Sequence, residues 1–343
     1  MRKKQDLNLN GFCDRLKIAA KPDGFMDEIL PYIPQPLKDY LARLTMPDIV
    51  GLQEIRLRIG KPVILETDGG SYFLTGEGLA SSLRHHDPII VDEILVNKTL
   101  QLISSSSFYA LEEEMRYGFL TLKGGHRVGF TGEAIVEQSR LKALKNISSL
   151  NFRISREILG AADRLMEFLV EARTRQPLHT LIISPPACGK TTLLRDIIRQ
   201  LSDGIPSLGF TGVTVGLVDE RSEIAGSRGG VPQKNIGCRT DVLDRCPKAE
   251  GMMLLLRSMS PRVIASDELG RPEDVAAIME IINAGVTVLA TAHGRDMFEI
   301  KQRPIIRQLL QQGVFERIIV LSRRFGPGTV EGILDCRSGV NLL

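Results

Sequence analysis

One eight-residue stretch, Ser184-Pro185-Pro186-Ala187-Cys188-Gly189-Lys190-Thr191, constrains the fold more than anything else in the chain. An apolar run, Leu181-Ile182-Ile183, precedes it. Thr192-Leu193-Leu194-Arg195-Asp196-Ile197-Ile198 follows, with the apolar spacing of a helix. Strand, short loop, Gly-Lys-Thr and helix is the context of a nucleotide-binding P-loop. The N–H groups of such a loop, with the positive end of the following helix, cradle phosphate. Lys190 then reaches the β- and γ-phosphates of ATP, and the Thr191 hydroxyl holds Mg²⁺. Ser184 stands where the usual first glycine opens the turn, a position that serine tolerates less freely. The bland alternative is an ordinary loop ending in an exposed lysine, and the flanking pattern argues against it.

Beyond the loop, strands alternate with helices. Residues 213–218, 263–266 and 286–290 read as strands, and 248–258 and 272–283 as helices with Pro247 and Pro272 at their starts. The alternation predicts an α/β core with a mostly parallel sheet covered on both faces.

Upstream the pattern differs. Residues 1–25 are polar, without a period, and predict a loose arm. Residues 26–145 predict a smaller α+β N-terminal domain. Leu37, Leu41 and Leu44 recur at helical spacing, Ile55-Arg56-Leu57-Arg58-Ile59-Gly60 alternates as a half-buried strand does, and 92–103 has helical spacing. Pro62-Val63-Ile64-Leu65 and Ser71-Tyr72-Phe73-Leu74 flank an Asp68-Gly69-Gly70 turn. Tyr117-Gly118-Phe119-Leu120-Thr121 and Arg127-Val128-Gly129-Phe130-Thr131 add two strands. Residues 146–160 predict a linker carrying Arg153 and Arg156. A helix over 161–174, with Leu165, Phe168, Leu169 and Ala172 on one face, opens the P-loop domain at 161–343.

Composition mainly excludes. The 343 residues carry a net charge of only +3, with 5% aromatics and no tryptophan, which argues against nucleic acid as a partner. The basic start, Met1-Arg2-Lys3-Lys4, leads into no signal-peptide apolar run. No apolar run is long enough to span a bilayer, so a cytoplasmic protein is expected, free to dock on a membrane complex. Five scattered cysteines without a Cys-x-x-Cys pair read as reduced thiols, and Cys188 as a small residue that fits the loop.

In open α/β sheets, ligands sit at the carboxyl ends of the strands. Here those ends carry Asp219-Glu220-Arg221-Ser222-Glu223, Asp267-Glu268-Leu269-Gly270-Arg271 and Thr291-Ala292-His293-Gly294. An ATPase needs one carboxylate for hydrated Mg²⁺, one to orient or deprotonate water, and a polar contact to the γ-phosphate. Asp267-Glu268 is the stronger pair, with Asp267 acting on Mg²⁺ through water and Glu268 as general base. Glu220 and Glu223 stay open as alternative bases, and His293 is the γ-phosphate contact. Arg221 and Arg271 have no assigned role.

Six runs form a set: Pro185-Pro186-x-x-Gly189-Lys190-Thr191-Thr192, Val218-Asp219-Glu220-Arg221-Ser222-Glu223-Ile224-Ala225-Gly226, Asp244-x-Cys246-Pro247-Lys248-Ala249-Glu250-Gly251-Met252-Met253, Arg257-Ser258-Met259-Ser260-Pro261, Asp267-Glu268-x-Gly270-Arg271-x-Glu273-Asp274 and Ala290-Thr291-Ala292-His293-Gly294. With Glu54-Ile55-Arg56-Leu57-Arg58-x-Gly60-x-Pro62, Tyr109-Ala110-Leu111-Glu112-x-Glu114 and Gly124-Gly125-His126-Arg127-Val128-Gly129, the set resembles the stage III sporulation AA family of endospore-forming bacteria, a relative of type II and type IV secretion ATPases. The resemblance spans about residues 30–340. It implies a RecA-like P-loop NTPase core, with 218–223 as an aspartate box, Asp267-Glu268 as the Walker B pair and His293 as a histidine box. Its further implications are an ATP- and Mg²⁺-dependent homo-hexamer, peripheral at the mother-cell side of the membrane, working with integral membrane components of a secretion-like sporulation complex. Arg127, Arg153 and Arg156 are its candidates for closing the nucleotide site. Two alternatives stay open: a ring ATPase tracking nucleic acid, and a nucleotide-binding assembly scaffold with little turnover, whose one support is Ser184.

Overall fold

In the computed structural model, which describes residues 24–49, 51–104 and 118–343, the chain divides into two units between Arg156 and Glu157. The motif Tyr109–Glu114, Tyr117 and all but the last two residues of the expected arm lie outside the described residues. Gly24 and Phe25 already belong to the first helix, α1 (Gly24–Ile29).

The N-terminal unit is a seven-stranded antiparallel sheet with helices on one face. Its strands are β1 (Leu52–Arg58), β2 (Ile64–Thr67), β3 (Gly70–Thr75), β4 (Gly78–Ala80), β5 (Phe119–Thr121), β6 (Arg127–Glu137) and β7 (Arg140–Arg153), in the order β4-β3-β2-β1-β7-β6-β5. Helices α1, α2 (Leu37–Ala42), α3 (Met46–Ile49) and α4 (Glu93–Ser104) complete it. The alternation read in residues 55–60 works as expected. Ile55 and Leu57 are fully buried while Arg56 and Arg58 are only half-buried, so one strand face joins Ile29, Leu41, Val96 and Phe152 in the core.

The expected linker at 146–160 is strand as far as Arg153. Asn146, Ser148 and Ser149 have loop chemistry, but the backbone here is claimed from both sides. Ser149 to Arg153 pair with β1, and Ser149 also pairs with Thr131 of β6. Two ladders outweigh local propensity.

The C-terminal unit holds α5 (Met166–Leu169), β8 (Thr180–Ser184), α6 (Lys190–Asp203), β9 (Val215–Asp219), β10 (Thr240–Asp244), α7 (Lys248–Ser258), β11 (Val263–Ser266), α8 (Pro272–Asn283), β12 (Thr287–His293), α9 (Met297–Gln302), α10 (Pro304–Gln311), β13 (Arg317–Ser322) and β14 (Thr329–Asp335). The sheet order is β10-β9-β11-β12-β8-β13-β14, parallel throughout except for β14. Period-two alternation sends Ile182, Leu217, Ala265 and Leu289 to one face with α6. It sends Leu181, Ile183, Val218, Ile264 and Ala290 to the other face, with α7, α8 and α10.

The helix expected over 161–174 shrinks to α5. The Asp196 carboxylate takes the N–H groups of Gly160 at 3.1 Å and Ala162 at 2.8 Å, which fixes the entry as turns. Past Leu169 the chain must double back to feed β8, and Val170 bridges Pro177. Leu165 and Leu169 remain buried, so the apolar signal was real although its helical period was not sustained.

Candidate functional site

Strand order puts the carboxyl ends of β9, β11, β12 and β8 side by side. His293, the last residue of β12, stands in register with Ser184, the last residue of β8. Ser184 is extended, buried and not among the positive-φ residues; its hydroxyl donates to the Pro185 carbonyl at 2.8 Å. The left-handed conformations fall later, at Ala187 (φ +56°) and Gly189 (φ +81°). Gly189 caps α6, and a Cβ there would meet the Gly328 backbone nitrogen at 3.1 Å. Gly328 N–H donates to the Cys188 carbonyl at 2.9 Å, so the β13–β14 connection backs the loop. Pro185 is half-buried, while Pro186 and Ala187 are exposed. Cys188 is buried, and burial raises its thiol pKa against the pull of Arg323 and Lys190. Lys190, Thr191 and Thr192 form the first turn of α6.

From Lys190 a hydrogen-bonded row crosses the strand ends. Its ammonium donates to His293 Nδ1 at 3.1 Å, and His293 Nε2 lies 3.0 Å from Glu268 Oε1. A protonated lysine makes Nδ1 the acceptor, so Nε2 carries the hydrogen toward the carboxylate. Arg221 stands 3.5 Å from the other Glu268 oxygen. Burial lowers the Lys190 pKa, and Glu268 and Asp267 counter that. The Glu268 N–H donates to the Thr291 hydroxyl at 2.9 Å, and Leu269 N–H to the Thr291 carbonyl at 2.8 Å, pinning the β11 end to β12.

Asp267 and Asp219 diverge. Burial pushes the Asp267 carboxyl up to about 6, with Lys248 opposing, and its Oδ1 is buried without a hydrogen-bond partner. Asp219 accepts the N–H groups of Glu223, Ile224 and Ala225, which folds 219–225 into a closed loop. Buried Arg195 ties that loop to α6 through the Glu223 and Ile224 carbonyls. Glu220 takes a different partner: the Lys248 ammonium bonds it, and Arg271 stands 3.8 Å from its other oxygen.

The profile of the family described as "Sporulation stage III, protein AA" matches residues 26–341. The chain is 43% identical over 310 residues to "Stage III sporulation protein AA" of Bacillus subtilis (strain 168), covering 90% of this chain and 95% of that protein. The chain belongs to the sporulation stage III, protein AA family.

Within solved structures, this family member resembles the ATPase DotB of Legionella pneumophila at a TM-score of 0.55 and 15% identity, covering 84% of this chain and 76% of that one. It also resembles the pilus retraction motor PilT with bound ADP, at 0.50 and 16%, covering 83% and 76%. These likenesses establish a RecA-like α/β fold. No described helix of this stage III AA chain is long and apolar enough to cross a membrane.

Of the residues expected in the site, Lys190, Glu268 and His293 join in one row, with Asp267 and Glu220 beside it. Glu223 contributes its backbone to the Asp219 loop. Arg127, Arg153 and Arg156 belong to the N-terminal unit. Arg127 lies over the Phe119 ring at 4.4 Å, Arg153 stands 3.8 Å from Glu54, and half-buried Arg156 donates to the Leu52 carbonyl at 2.9 Å. Sequence reasoning missed Lys248 and Thr291. The signal for Lys248 was a lysine at the start of a helix, against the helix dipole. For Thr291 it was a β-branched hydroxyl beside His293.

Proposed function

We propose that this chain is an ATP-hydrolysing motor, converting ATP to ADP and phosphate, that powers a secretion-like channel complex during endospore formation. The observation that carries this reading is the Lys190–His293–Glu268 row beside Asp267, at the open end of the parallel sheet. The fold shared with an ATPase and with a pilus retraction motor holding ADP supports it.

The residues fit a nucleotide and its metal. Gly189 lets backbone approach backbone where a side chain would intrude, and the first turn of α6 offers its free N–H groups to phosphate. Asp267 Oδ1 is a buried acceptor with no partner, suited to a metal-bound water. Thr191 and Asp267 would hold Mg²⁺, which supplies charge neutralisation for the phosphate oxygens. Lys190 binds the β- and γ-phosphates. Its departure from His293 lets the imidazole face the γ-phosphate, to which it donates when the N–H sits on Nδ1. Glu268 is the general base, taking the proton of the attacking water. Glu220, held by Lys248, supports the metal side. Glu223 serves through its backbone. The working assembly is a homo-hexamer at the mother-cell face of the membrane, docked on integral components of the complex. The extended backbone at Ser184 removes the one sequence argument for a scaffold without turnover.

Phosphate release from Mg²⁺-ATP tests the reading, with Lys190→Ala and Glu268→Gln beside wild type. Loss in both variants, with ATP binding kept in Glu268→Gln, is the expected result. Turnover at the wild-type rate in Glu268→Gln would remove Glu268 as base.

A further inference from the structure

The site contains a second buried cation that this reading leaves without a task of its own. Lys248 opens α7 directly after its cap Pro247 and is 8% exposed. Local physics disfavours it there. The first turn of a helix is itself positive, and an ammonium withdrawn from water is costly unless paired. What the position provides is reach. The ammonium bonds Glu220 Oε2 and lies 3.8 Å from Asp267 Oδ1, so it bridges carboxylates that follow the adjacent strands β9 and β11. Asp267 feels the negative charges of Asp219, Glu220 and Glu223, with Lys248 the opposing charge. Its Oδ1 makes no hydrogen bond, so the Lys248 contact is attraction at a distance. Among the described residues, no group of three or more His, Cys, Asp or Glu side chains is arranged to hold a metal ion alone.

The geometry points to Lys248 as a positioning residue, the resident counter-ion of the metal side of the site, admitting a divalent cation only together with nucleotide phosphates. This rests on the nucleotide site proposed above. A bare divalent ion approaching Asp267 meets an ammonium already there, and repulsion offsets most of the attraction. Bound phosphates add the negative charge that tips the balance toward the metal. Holding Glu220 through the same ammonium keeps a second carboxylate from joining Asp267 as a chelate. Without the Lys248 charge, Asp267 and Glu220 face each other uncompensated and bare metal gains affinity. Without the Glu220 charge, Lys248 answers to Asp267 alone and metal is held more weakly.

Mn²⁺ titrated into the full-length protein without nucleotide, followed by the electron paramagnetic resonance of the free ion, reads this directly. Lys248→Met should bind Mn²⁺ at least about tenfold more tightly than wild type, and Lys248→Arg, which keeps the charge, should stay within about threefold. A folded Lys248→Met with wild-type Mn²⁺ affinity overturns the proposal. If Lys248→Met does not fold, Glu220→Gln decides, titrated with ADP present. Mn²⁺ binding weakened by about threefold or more supports the proposal, and unchanged or tighter binding overturns it. None of these readouts uses hydrolysis. A wild type that releases no phosphate but shows the Mn²⁺ pattern would leave Lys248 in its role and favour a scaffold, or an ATPase that needs its membrane partner, over a motor that turns over alone.

Discussion

Asp219 and Asp267 end two neighbouring parallel strands, and the chain treats them in opposite ways. Asp219 is fully buried and spends both oxygens on its own loop, accepting N–H groups of Glu223, Ile224 and Ala225 at 2.8, 3.0 and 2.8 Å. Asp267 retains some exposure and leaves Oδ1 with no hydrogen bond at all. A buried carboxylate costs free energy unless its acceptor capacity is filled. A filled one organises the fold, whereas an unfilled one still has an acceptor to offer. The largest expected effect breaks the filled member. Asp219→Asn puts an amide N–H₂ against backbone N–H donors and should destabilise the protein by about 4 kcal/mol, read as a lower urea midpoint. A midpoint close to wild type would erase the distinction.

Burial raises both carboxyls, but at Asp219 three backbone N–H donors oppose the rise and would be stranded by an amide, so the unfilled member should respond in the other direction. Burial holds the folded Asp267 carboxyl at about 6, above its ordinary 3.8. A raised acid pKa means that the folded state keeps a proton which the unfolded state has already released. The resulting stability is fully present below about pH 4 and is lost as pH rises through 6. At pH 8, Asp267→Asn is therefore expected to be more stable than wild type by about 2–3 kcal/mol. The difference should shrink steadily between pH 6 and 4, as denaturation at a series of pH values would show. The same variant should lose turnover, so Asp267 would be a residue whose presence costs stability in return for function.

The two loops also differ in what holds them. The loop after β9 is closed by its own aspartate, and the turn after β11 by the neighbouring strand, through the Thr291 hydroxyl on Glu268 N–H. Thr291→Val should cost about 1 kcal/mol of stability. By loosening Glu268 it should lower kcat by about tenfold while ATP affinity stays within about twofold. A loss of affinity with kcat unchanged would show that Thr291 serves the nucleotide and not the base.

Much of this site was legible because its chemistry is local. Gly189-Lys190-Thr191 before an apolar helix, Asp267-Glu268 after Val263–Ser266 and His293 after a β-rich run each fall within a dozen residues, and the parallel order of the strands brings their ends together. Roles assigned by distant partners were not legible. Asp219 and Asp267 look alike as strand-end Asp-Glu pairs. Only the backbone path of 223–225 shows that one is already occupied. Lys248 reads as an ordinary solvated helix-start lysine until Glu220 and Asp267, far away in sequence, close around it. In the fold, the apolar signals marked β1, β2, β3, β5, the start of β6, and β8, β9, β11 and β12, while β4, β7, β10, β13 and β14 were not read as strands. Residues 146–153 escaped because polar loop-like residues become strand when two neighbours pair with them, and 161–174 because an apolar stripe fits turns as well as a helix when Asp196 fixes its start.

The smallest effects concern the loop from Ser184 to Gly189, where the sequence placed the backbone requirement one turn too early. Ser184 departs from the usual glycine, yet its backbone is extended strand, its side chain is fully buried and its hydroxyl is bonded. Glycine there would gain no conformation that it needs and would add freedom to the unfolded chain, so Ser184→Gly should destabilise by about 0.5–1 kcal/mol. Ala187 is the reverse case. It holds φ +56°, is exposed and pays the left-handed cost that a Cβ imposes. Ala187→Gly should relieve part of that cost and offset its own unfolded-state entropy, leaving stability unchanged or raised by up to about 0.5 kcal/mol. Paired urea titrations of the two variants give the order. If Ser184→Gly came out the more stable, the turn would open at Ser184, and the register of His293 with Ser184 would have to be redrawn.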